Sequence, residues 1–211
     1  MCFPKASARF LVATSCLASL TGCDRHGLDF VVAPEFDDTF TFEFGLADWT
    51  ARGRDLTNPT DLWEVVPSSE RASDGSQSVR LRLENVNSQG KIWIERKYSM
   101  EADQLYTVYV AFDLGTADFG SANLWQIVAG AAPTSPAAAG VPAPQGDTGN
   151  GQATDQGYKF VRKTYTTEAR SDADGNLYVY VGVWGTSPFA RSYCVDKVKV
   201  VLTRKGLSKK L

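Results

Sequence analysis

The stretch NLYVYVGVWG, Asn176–Gly185, presents two different side-chain faces. Successive side chains of a β-strand point to opposite sides of its sheet. One side of this strand is therefore aliphatic and consists of Leu177, Val179, Val181 and Val183. The other side carries the rings of Tyr178, Tyr180 and Trp184, with a gap at Gly182. We interpret the aliphatic side as a core layer, and the aromatic side as either a second buried layer or a platform for a ligand.

Similar alternating or short apolar stretches recur along the chain. They cover residues 39–45, 78–84, 91–99, 105–114, 124–129, 158–169 and 194–203. No long segment has the 3.6-residue period of a helix. The Asp-Gly pairs at 74–75 and 174–175 favour the positive φ angles of tight hairpin turns. Together these features predict an all-β fold, a two-sheet antiparallel β-sandwich of the jelly-roll type.

Several aromatic residues outside the opening stretch have predicted positions. Phe40, Phe42 and Phe44 alternate along 39–45, so they should share one face of the first strand. We expect Trp49 and Trp63 to pack in the core.

The N-terminal 22 residues have the pattern of a secretory signal peptide. Lys5 and Arg9 are followed by an apolar run to residue 20 that is too short to span a bilayer as a helix. The run ends in LTGC, residues 20–23, which resembles the lipobox of bacterial lipoproteins. In that family the cysteine is acylated and becomes the mature N-terminus. An ordinary secretory signal with a chance cysteine is the alternative.

This resemblance implies an anchor and a location. Cys23 would carry lipid chains that hold the protein on a membrane of the bacterial cell envelope. Asp24, directly after it, resembles a signal for retention in the inner membrane.

The rest of the chain divides at changes in composition. Residues 1–22 are the predicted lipoprotein signal, and 23–38 are the lipidated N-terminus and its tether. The sandwich is predicted to occupy 39–203, followed by a basic tail at 204–211. Within the sandwich, about 130–157 is rich in Ala, Pro and Gly and has no aromatic residue. A loop of that length is either a surface excursion or a lid over a ligand.

The few cysteines and the single histidine restrict the chemistry. Cys2 and Cys16 leave with the signal and Cys23 carries lipid, so Cys194 remains alone as an expected buried, inert thiol. The only histidine, His26, lies near the anchor, which excludes a histidine base or a His-rich zinc site in the domain. Carboxylate pairs could still hydrolyse glycosides, but the acidic stretches do not form compact clusters. The sequence therefore favours a protein that is not an enzyme.

The charge balance also excludes one class of partner. The formal net charge is -2, and the basic cluster at the C-terminal end is most simply a solvated tail. A mildly acidic domain is a poor candidate for nucleic-acid binding.

Three stretches in order resemble jelly-roll carbohydrate-binding modules with a galactose-binding-like fold. They are FEFGLADWT (42–50), RASDGSQSVRLRLE (71–84) and VGVWGTSPFARSYCVDKVKVVL (181–202), the last resembling a closing hairpin. The resemblance spans much of 39–203 and departs from the modules in the middle, including 130–157. It implies a sugar ligand and a domain without catalysis.

The same resemblance implies one structural Ca²⁺ between the first and last strands. Glu43 and Asp196 would be its side-chain ligands, and the turn at 73–75 would offer carbonyl oxygens. Ca²⁺ takes six to eight oxygens, more than this set supplies. The alternative is that both carboxylates accept backbone hydrogen bonds.

Rings on the strand faces opposite the core are the candidate ligand-binding residues. Flat rings beside a few polar groups suit sugars, which offer apolar C–H faces and hydroxyl edges. The candidates are Trp93, Tyr109, Asp113, Tyr178, Tyr180 and Trp184. If their strands lie in one sheet, they form one ring-lined surface. Trp93 stands among charged residues, so its face should be wet.

Two alternatives remain open for these rings. Cross-strand aromatic pairs also stabilise sheets without any ligand. If the 130–157 segment covers Tyr178 and Trp184, Trp93 and Tyr109 become the better candidates.

The expected function is therefore non-catalytic binding of a polysaccharide or oligosaccharide by a lipid-anchored envelope protein. A structural lipoprotein that binds another envelope protein is the alternative, because Tyr and Trp are favoured at both kinds of site. A polysaccharide-degrading enzyme is a third, less favoured interpretation.

Overall fold

The computed structural model describes residues 34–56, 62–84, 88–117, 125–140, 157–186 and 188–206. Within these ranges the chain forms ten strands and one short helix. They are β1 (Phe36–Phe40), β2 (Thr50–Arg54), β3 (Leu62–Ser68), β4 (Ser78–Glu84), β5 (Lys91–Ser99), β6 (Leu105–Thr116), β7 (Trp125–Ala132), α1 (Pro136–Ala139), β8 (Lys159–Arg170), β9 (Asn176–Gly185) and β10 (Arg191–Arg204). In the described ranges, no helix is long and apolar enough to cross a membrane.

The strands build two antiparallel sheets. The six-stranded sheet has the order β3-β4-β10-β6-β8, with β1 also paired to β10, and the four-stranded sheet has the order β2-β5-β9-β7. From β4 to β10, consecutive strands alternate between the two sheets, which is the winding of a jelly roll. The predicted two-sheet antiparallel β-sandwich is confirmed.

The core lies between the aliphatic sides of the two sheets. The four aliphatic residues of the opening stretch are fully buried on β9: Leu177, Val179, Val181 and Val183. The six-stranded sheet meets them with buried side chains that include Tyr106, Val108, Val110 and Phe112 of β6. Burial of a large aliphatic or aromatic side chain contributes roughly 1.5–3 kcal/mol, so this layer stabilises the fold strongly.

The first strand differs from its prediction. It runs from Phe36 to Phe40, so it begins within the predicted tether and ends early. Phe42 is buried but has φ 60°, which turns the chain out of the strand. Phe44 is consequently 100% exposed, and the prediction that it shares a face with Phe40 and Phe42 is wrong.

Of the two tryptophans expected in the core, one is there and one is not. Trp49 is buried against Phe40 and Phe42, as predicted. Trp63 is 41% exposed, which contradicts the prediction. It lies near the start of β3, an edge strand of its sheet, and its ring approaches Gly53 of β2.

Both Asp-Gly turns have the predicted positive φ angles, but only the first joins two paired strands, β3 and β4. Gly75 and Gly175 have φ of +64° and +77°. The turn with Gly175 links β8 of the six-stranded sheet to β9 of the four-stranded sheet, so the predicted hairpin there is wrong. The connection from β9 to β10 also changes sheets, so the closing hairpin is not one either.

Cys194 is a free thiol and is buried, as predicted. Other predictions lie outside the described residues. These are the signal peptide, Cys23, Asp24, residues 141–156 of the long segment and the tail from 207 onward.

Candidate functional site

The six predicted ligand-binding residues are divided between the two sheets. Trp93 on β5 and the three rings of β9 belong to the four-stranded sheet, whereas Tyr109 and Asp113 lie on β6 of the six-stranded sheet. The sheets pack core to core, so their outer faces point in opposite directions. Alternation along a strand predicts which side chains share a face but not which sheet the strand joins. The condition for one shared surface, that all these strands lie in one sheet, is therefore not met for Tyr109 and Asp113.

The outer side of the four-stranded sheet, which we call the aromatic face, is organised by cross-strand register. Three successive rows run across β2, β5, β9 and β7. They are Thr50, Glu95, Tyr180 and Gly130; then Arg52, Trp93, Gly182 and Val128; then Arg54, Lys91, Trp184 and Gln126. Tyr178 follows on the same side of β9, in register with Lys97. Four predicted rings thus share this face with charged side chains.

Trp93 lies at the centre of the aromatic face and is 0% exposed. It forms a small buried cluster with Val128 and Tyr180, separate from the main core. Its indole Nε1 donates a hydrogen bond of 3.0 Å to Glu95 Oε2. The prediction that the face of Trp93 is wet is therefore wrong.

Glu95 is a buried carboxylate that the sequence analysis did not single out. It is 2% exposed and accepts hydrogen bonds on Oε1 from Arg52 Nε at 2.9 Å and from Ser135 Oγ at 2.7 Å. Burying a charge is costly unless it is paired and hydrogen-bonded, and Arg52 and Trp93 meet that requirement here. The available signal was an acid two residues after a tryptophan, on the same side of one strand. Arg52 had no signal, because the sequence predicted no strand at β2.

Trp184 is half-buried at one end of the aromatic face. Its Nε1 donates to the Ser88 carbonyl at 3.0 Å, and Lys91 Nζ lies 4.8 Å from the ring centroid. Lys91 also pairs with Asp55 at 2.6 Å. These contacts hold the indole in one orientation, which suits a rigid stacking surface.

The two tyrosines of β9 differ in burial. Tyr178 is half-buried and is the register partner of Lys97. Tyr180 is nearly inaccessible, and burial raises the pKa of its phenol to about 12. The Tyr180 phenol therefore stays protonated, as a hydrogen-bond donor, to a higher pH than an exposed tyrosine does.

Tyr109 and Asp113 share the outer face of the six-stranded sheet. Tyr109 is half-buried between the register positions of Val201 and Thr166. Asp113 accepts hydrogen bonds from Ser73 Oγ at 2.7 Å and from Arg162 Nη1 at 3.1 Å. These bonds tie Asp113 to the structure around the 73–77 turn and not to a ring.

The two predicted calcium ligands both bind that same turn. Glu43 accepts hydrogen bonds from the Ser76 hydroxyl at 2.7 Å and from the backbone N–H of Gln77 at 3.1 Å. The hydroxyl of Ser76 and the backbone N–H groups of Gln77 and Ser76 hold the pKa of Glu43 below its usual range. Asp196 is fully buried and accepts from the backbone N–H groups of Ser73 at 2.8 Å and Lys197 at 2.7 Å.

This donor set does not fit a calcium ion. The groups that face Glu43 and Asp196 are mainly N–H donors, whereas Ca²⁺ needs six to eight oxygens. Among the described residues there is no group of three or more metal-binding side chains. The arrangement fits the alternative of backbone hydrogen bonding, and calcium binding here stays an untested prediction.

Comparisons with known proteins give likenesses to β-sandwich domains. No protein-family model and no curated protein matches the chain. A solved carbohydrate-binding module of the β-sandwich superfamily is 12% identical, with 81% of this chain and 63% of that chain covered and a TM-score of 0.42. The CBM22-1-CBM22-2 tandem domain of Paenibacillus barcinonensis Xyn10C is 16% identical, with coverages of 86% and 48% and a TM-score of 0.47.

A third solved structure is an adhesin domain and not a carbohydrate-binding module. The K1 cleaved adhesin domain of Lys-gingipain from Porphyromonas gingivalis W83 is 13% identical, with coverages of 78% and 97% and a TM-score of 0.46. The chain spans only about half to two thirds of the length of the first two structures. Identities and TM-scores this low do not identify a ligand of this chain.

Proposed function

We propose that the sandwich is a non-catalytic carbohydrate-binding domain and that its ligand meets the aromatic face. The observation that carries the proposal is the grouping of Trp93, Tyr178, Tyr180 and Trp184 around the Arg52–Glu95 pair. Sugars stack their C–H faces on flat rings and form hydrogen bonds from their hydroxyls to charged groups. The same face supplies both kinds of group within neighbouring register rows.

The accessible part of the aromatic face indicates where contact begins. Trp184 and Tyr178 are half-buried, and the Arg52 side chain is 43% exposed. Of the Arg52 nitrogens, only Nε donates to Glu95. The N–H groups on the two Nη atoms can therefore donate hydrogen bonds to sugar oxygens. Trp184 and Tyr178 therefore provide the stacking surfaces, and Arg52 provides a polar contact.

A panel of glycans tests this proposal. The chain from residue 24 onward is applied to arrays of plant, algal, host and cell-wall glycans, and to native gels containing xylan, mixed-linkage β-glucan or galactomannan. Retention without release of reducing ends supports the proposal. Release of products would favour the enzyme, and silence across every glycan would overturn sugar binding.

A protein partner is the second candidate, and exposed apolar residues favour it. Leu62 and Trp63, adjacent on β3, are 55% and 41% exposed, and Phe189 is 72% exposed shortly before β10. Trp63 and Arg191 are both register partners of Leu83, so the start of β3 and the start of β10 lie at the same end of the six-stranded sheet. Exposed apolar surface marks many protein-interaction sites. Silence in the glycan panel would make this end the surface to study.

We further propose that lipid on Cys23 anchors the domain at the bacterial cell envelope, with Asp24 favouring the inner membrane. The support is the tetrapeptide at 20–23 after a short apolar run. Replacing Cys23 with serine should abolish incorporation of an alkyne-labelled fatty acid in living cells, because the acylated thiol is gone. Cys16→Ser is the matched control. Its labelling should stay unchanged, because Cys16 leaves with the signal peptide. Full labelling of Cys23→Ser would contradict the anchor.

A further inference from the structure

Residues 133–140, which we call the strap, cross the aromatic face from one edge of its sheet to the other. The chain leaves the edge strand β7 at Ala132, the register partner of Tyr178. Ser135 then reaches Glu95 on β5, and the next residues reach Arg54 on β2, the opposite edge strand. The strap therefore passes over the middle of the four-stranded sheet.

Two polar latches hold the strap in place. Ser135 Oγ donates to Glu95 Oε1 at 2.7 Å. Arg54 Nη1 donates to the carbonyl oxygen of Ala137 at 3.1 Å and to that of Pro136 at 3.4 Å. Each latch joins a charged side chain of the face to a neutral group of the strap.

The strap is folded by the same residues that latch it. Ser135 caps the single turn α1, because its Oγ also accepts from the backbone N–H of Ala137 at 3.2 Å. Gly140 ends the turn with φ 98° and donates its N–H to the Pro136 carbonyl at 2.9 Å. A single helical turn is unstable by itself in water, so the strap depends on its contacts with the face.

The latches have the chemistry of sugar recognition. A hydroxyl donating to Glu95 and oxygens accepting from Arg54 are the bonds that sugar hydroxyls would make. The residues in the middle of the face are closed to solvent, with Trp93 at 0% and Glu95 at 2% exposed. A glycan that is to stack on Trp93 needs the space above it.

We propose that the strap is a built-in competitor of the glycan, which covers Trp93 and Glu95 and is displaced when a sugar chain binds. This inference rests on the proposed function and adds regulation of the same site. A ligand that binds only the uncovered state has an apparent affinity reduced by the fraction of molecules in that state. Loosening the strap should therefore tighten binding.

The expected size of the effect follows from one latch. A hydrogen bond to a charged group contributes enough that its loss changes an equilibrium by roughly ten-fold. Ser135→Ala removes the donor to Glu95 and the cap of α1 together. Its apparent affinity for a retained polysaccharide should rise by about ten-fold, limited by the stability of the closed state. Arg54→Gln is the second variant and acts on the other latch.

The first measurement needs no glycan. The protein has five tryptophans, and 5-fluorotryptophan labelling gives each a ¹⁹F resonance that a Trp→Phe substitution can assign. The Trp93 resonance should change little between H₂O and D₂O in the native chain and clearly more in Ser135→Ala and Arg54→Gln. Ser99→Ala, an exposed position on the same strand, is the control and should behave as the native chain. If Trp93 stays closed to solvent in both latch variants while they remain folded, the proposal that the strap covers it is wrong.

The second measurement uses native gels containing xylan, mixed-linkage β-glucan or galactomannan. Stronger retardation of Ser135→Ala than of the native chain and Ser99→Ala supports the proposal, because Ser135→Ala leaves Glu95 and Arg54 in place for the sugar. Arg54→Gln serves only the ¹⁹F measurement, since it also removes donors that a sugar would use. Equal retardation with an opened Trp93 would show that the strap does not compete with sugar. If Trp93 opens and no gel or array retains any variant, sugar binding itself is overturned and the strap has no glycan to compete with. The ¹⁹F readout thus separates failure of the strap from failure of the proposed function.

Discussion

Replacing Trp184 with alanine is expected to weaken glycan binding at least ten-fold while the domain stays folded. The indole is half-buried and is held by the Ser88 carbonyl and by Lys91 above its ring. A ring fixed in this way loses little freedom on binding. Truncation of an aromatic side chain on which a ligand depends typically costs about 2 kcal/mol or more, which corresponds to roughly 30-fold in affinity. Affinity gels or calorimetry measure the loss, and thermal unfolding reports the fold.

A second tryptophan provides the control for this experiment. Trp63 is 41% exposed on β3 of the other sheet, and its ring lies against the inner side of β2 at Gly53. Trp63→Ala therefore removes the same kind of side chain from a place outside the aromatic face. We expect Trp63→Ala to bind as the native chain does. Tyr109→Ala, on the outer face of the six-stranded sheet, should also keep binding. If Trp63→Ala or Tyr109→Ala loses binding while Trp184→Ala binds fully, the site lies on the six-stranded sheet and our proposal is wrong.

Replacing Gly182 with alanine is expected to destabilise the domain by about 3 kcal/mol. A Cβ at this position would lie 2.2 Å from the Ile92 carbonyl oxygen and 2.5 Å from Trp93 Cα. Both atoms belong to the backbone of β5, so no side-chain rotation relieves the contact. The two central strands of the four-stranded sheet would have to separate, which disturbs the core on one side and Trp93 on the other. Urea unfolding measures the change in the free energy of unfolding.

The control for this substitution is Gly206→Ala. No atom lies within 4 Å of a Cβ built at Gly206, and its φ does not lie in the left-handed region. The free energy of unfolding should therefore stay within about 0.5 kcal/mol of the native value. An unchanged urea midpoint for Gly182→Ala would contradict the close approach of β5 and β9.

The strands that the sequence predicted best are those with a buried alternating side. In β4, β5 and β9 the apolar residues repeat every second position, and their bounds agree with the prediction. The strands β2 and β3 were missed. β2, with the sequence TARGR, has no apolar alternation, and β3 contains a proline. Edge strands bury less of each side chain, so their sequences carry less of the pattern.

The candidate site was predicted only in part. Trp93, Tyr178, Tyr180 and Trp184 came from alternation, and the structure brings them to one face. The buried Glu95 and its partner Arg52 were missed, because the residues that bury and pair them come from β2 and from the strap. A charged residue in a strand sequence predicts an exposed position. Glu95 is buried only because Arg52 and Ser135, from other segments, pack against it and bind it.

The sequence by itself determined the two faces of NLYVYVGVWG, because the side-chain period of a strand is a local property of the backbone. It also predicted the class of fold, through many such strands and their turns. Only the tertiary structure decided which rings share a sheet, since the pairing of strands depends on contacts between segments far apart in the chain. The same contacts decided that Ser135 of the strap reaches the buried Glu95 and that Trp184 and Tyr178 remain half-buried.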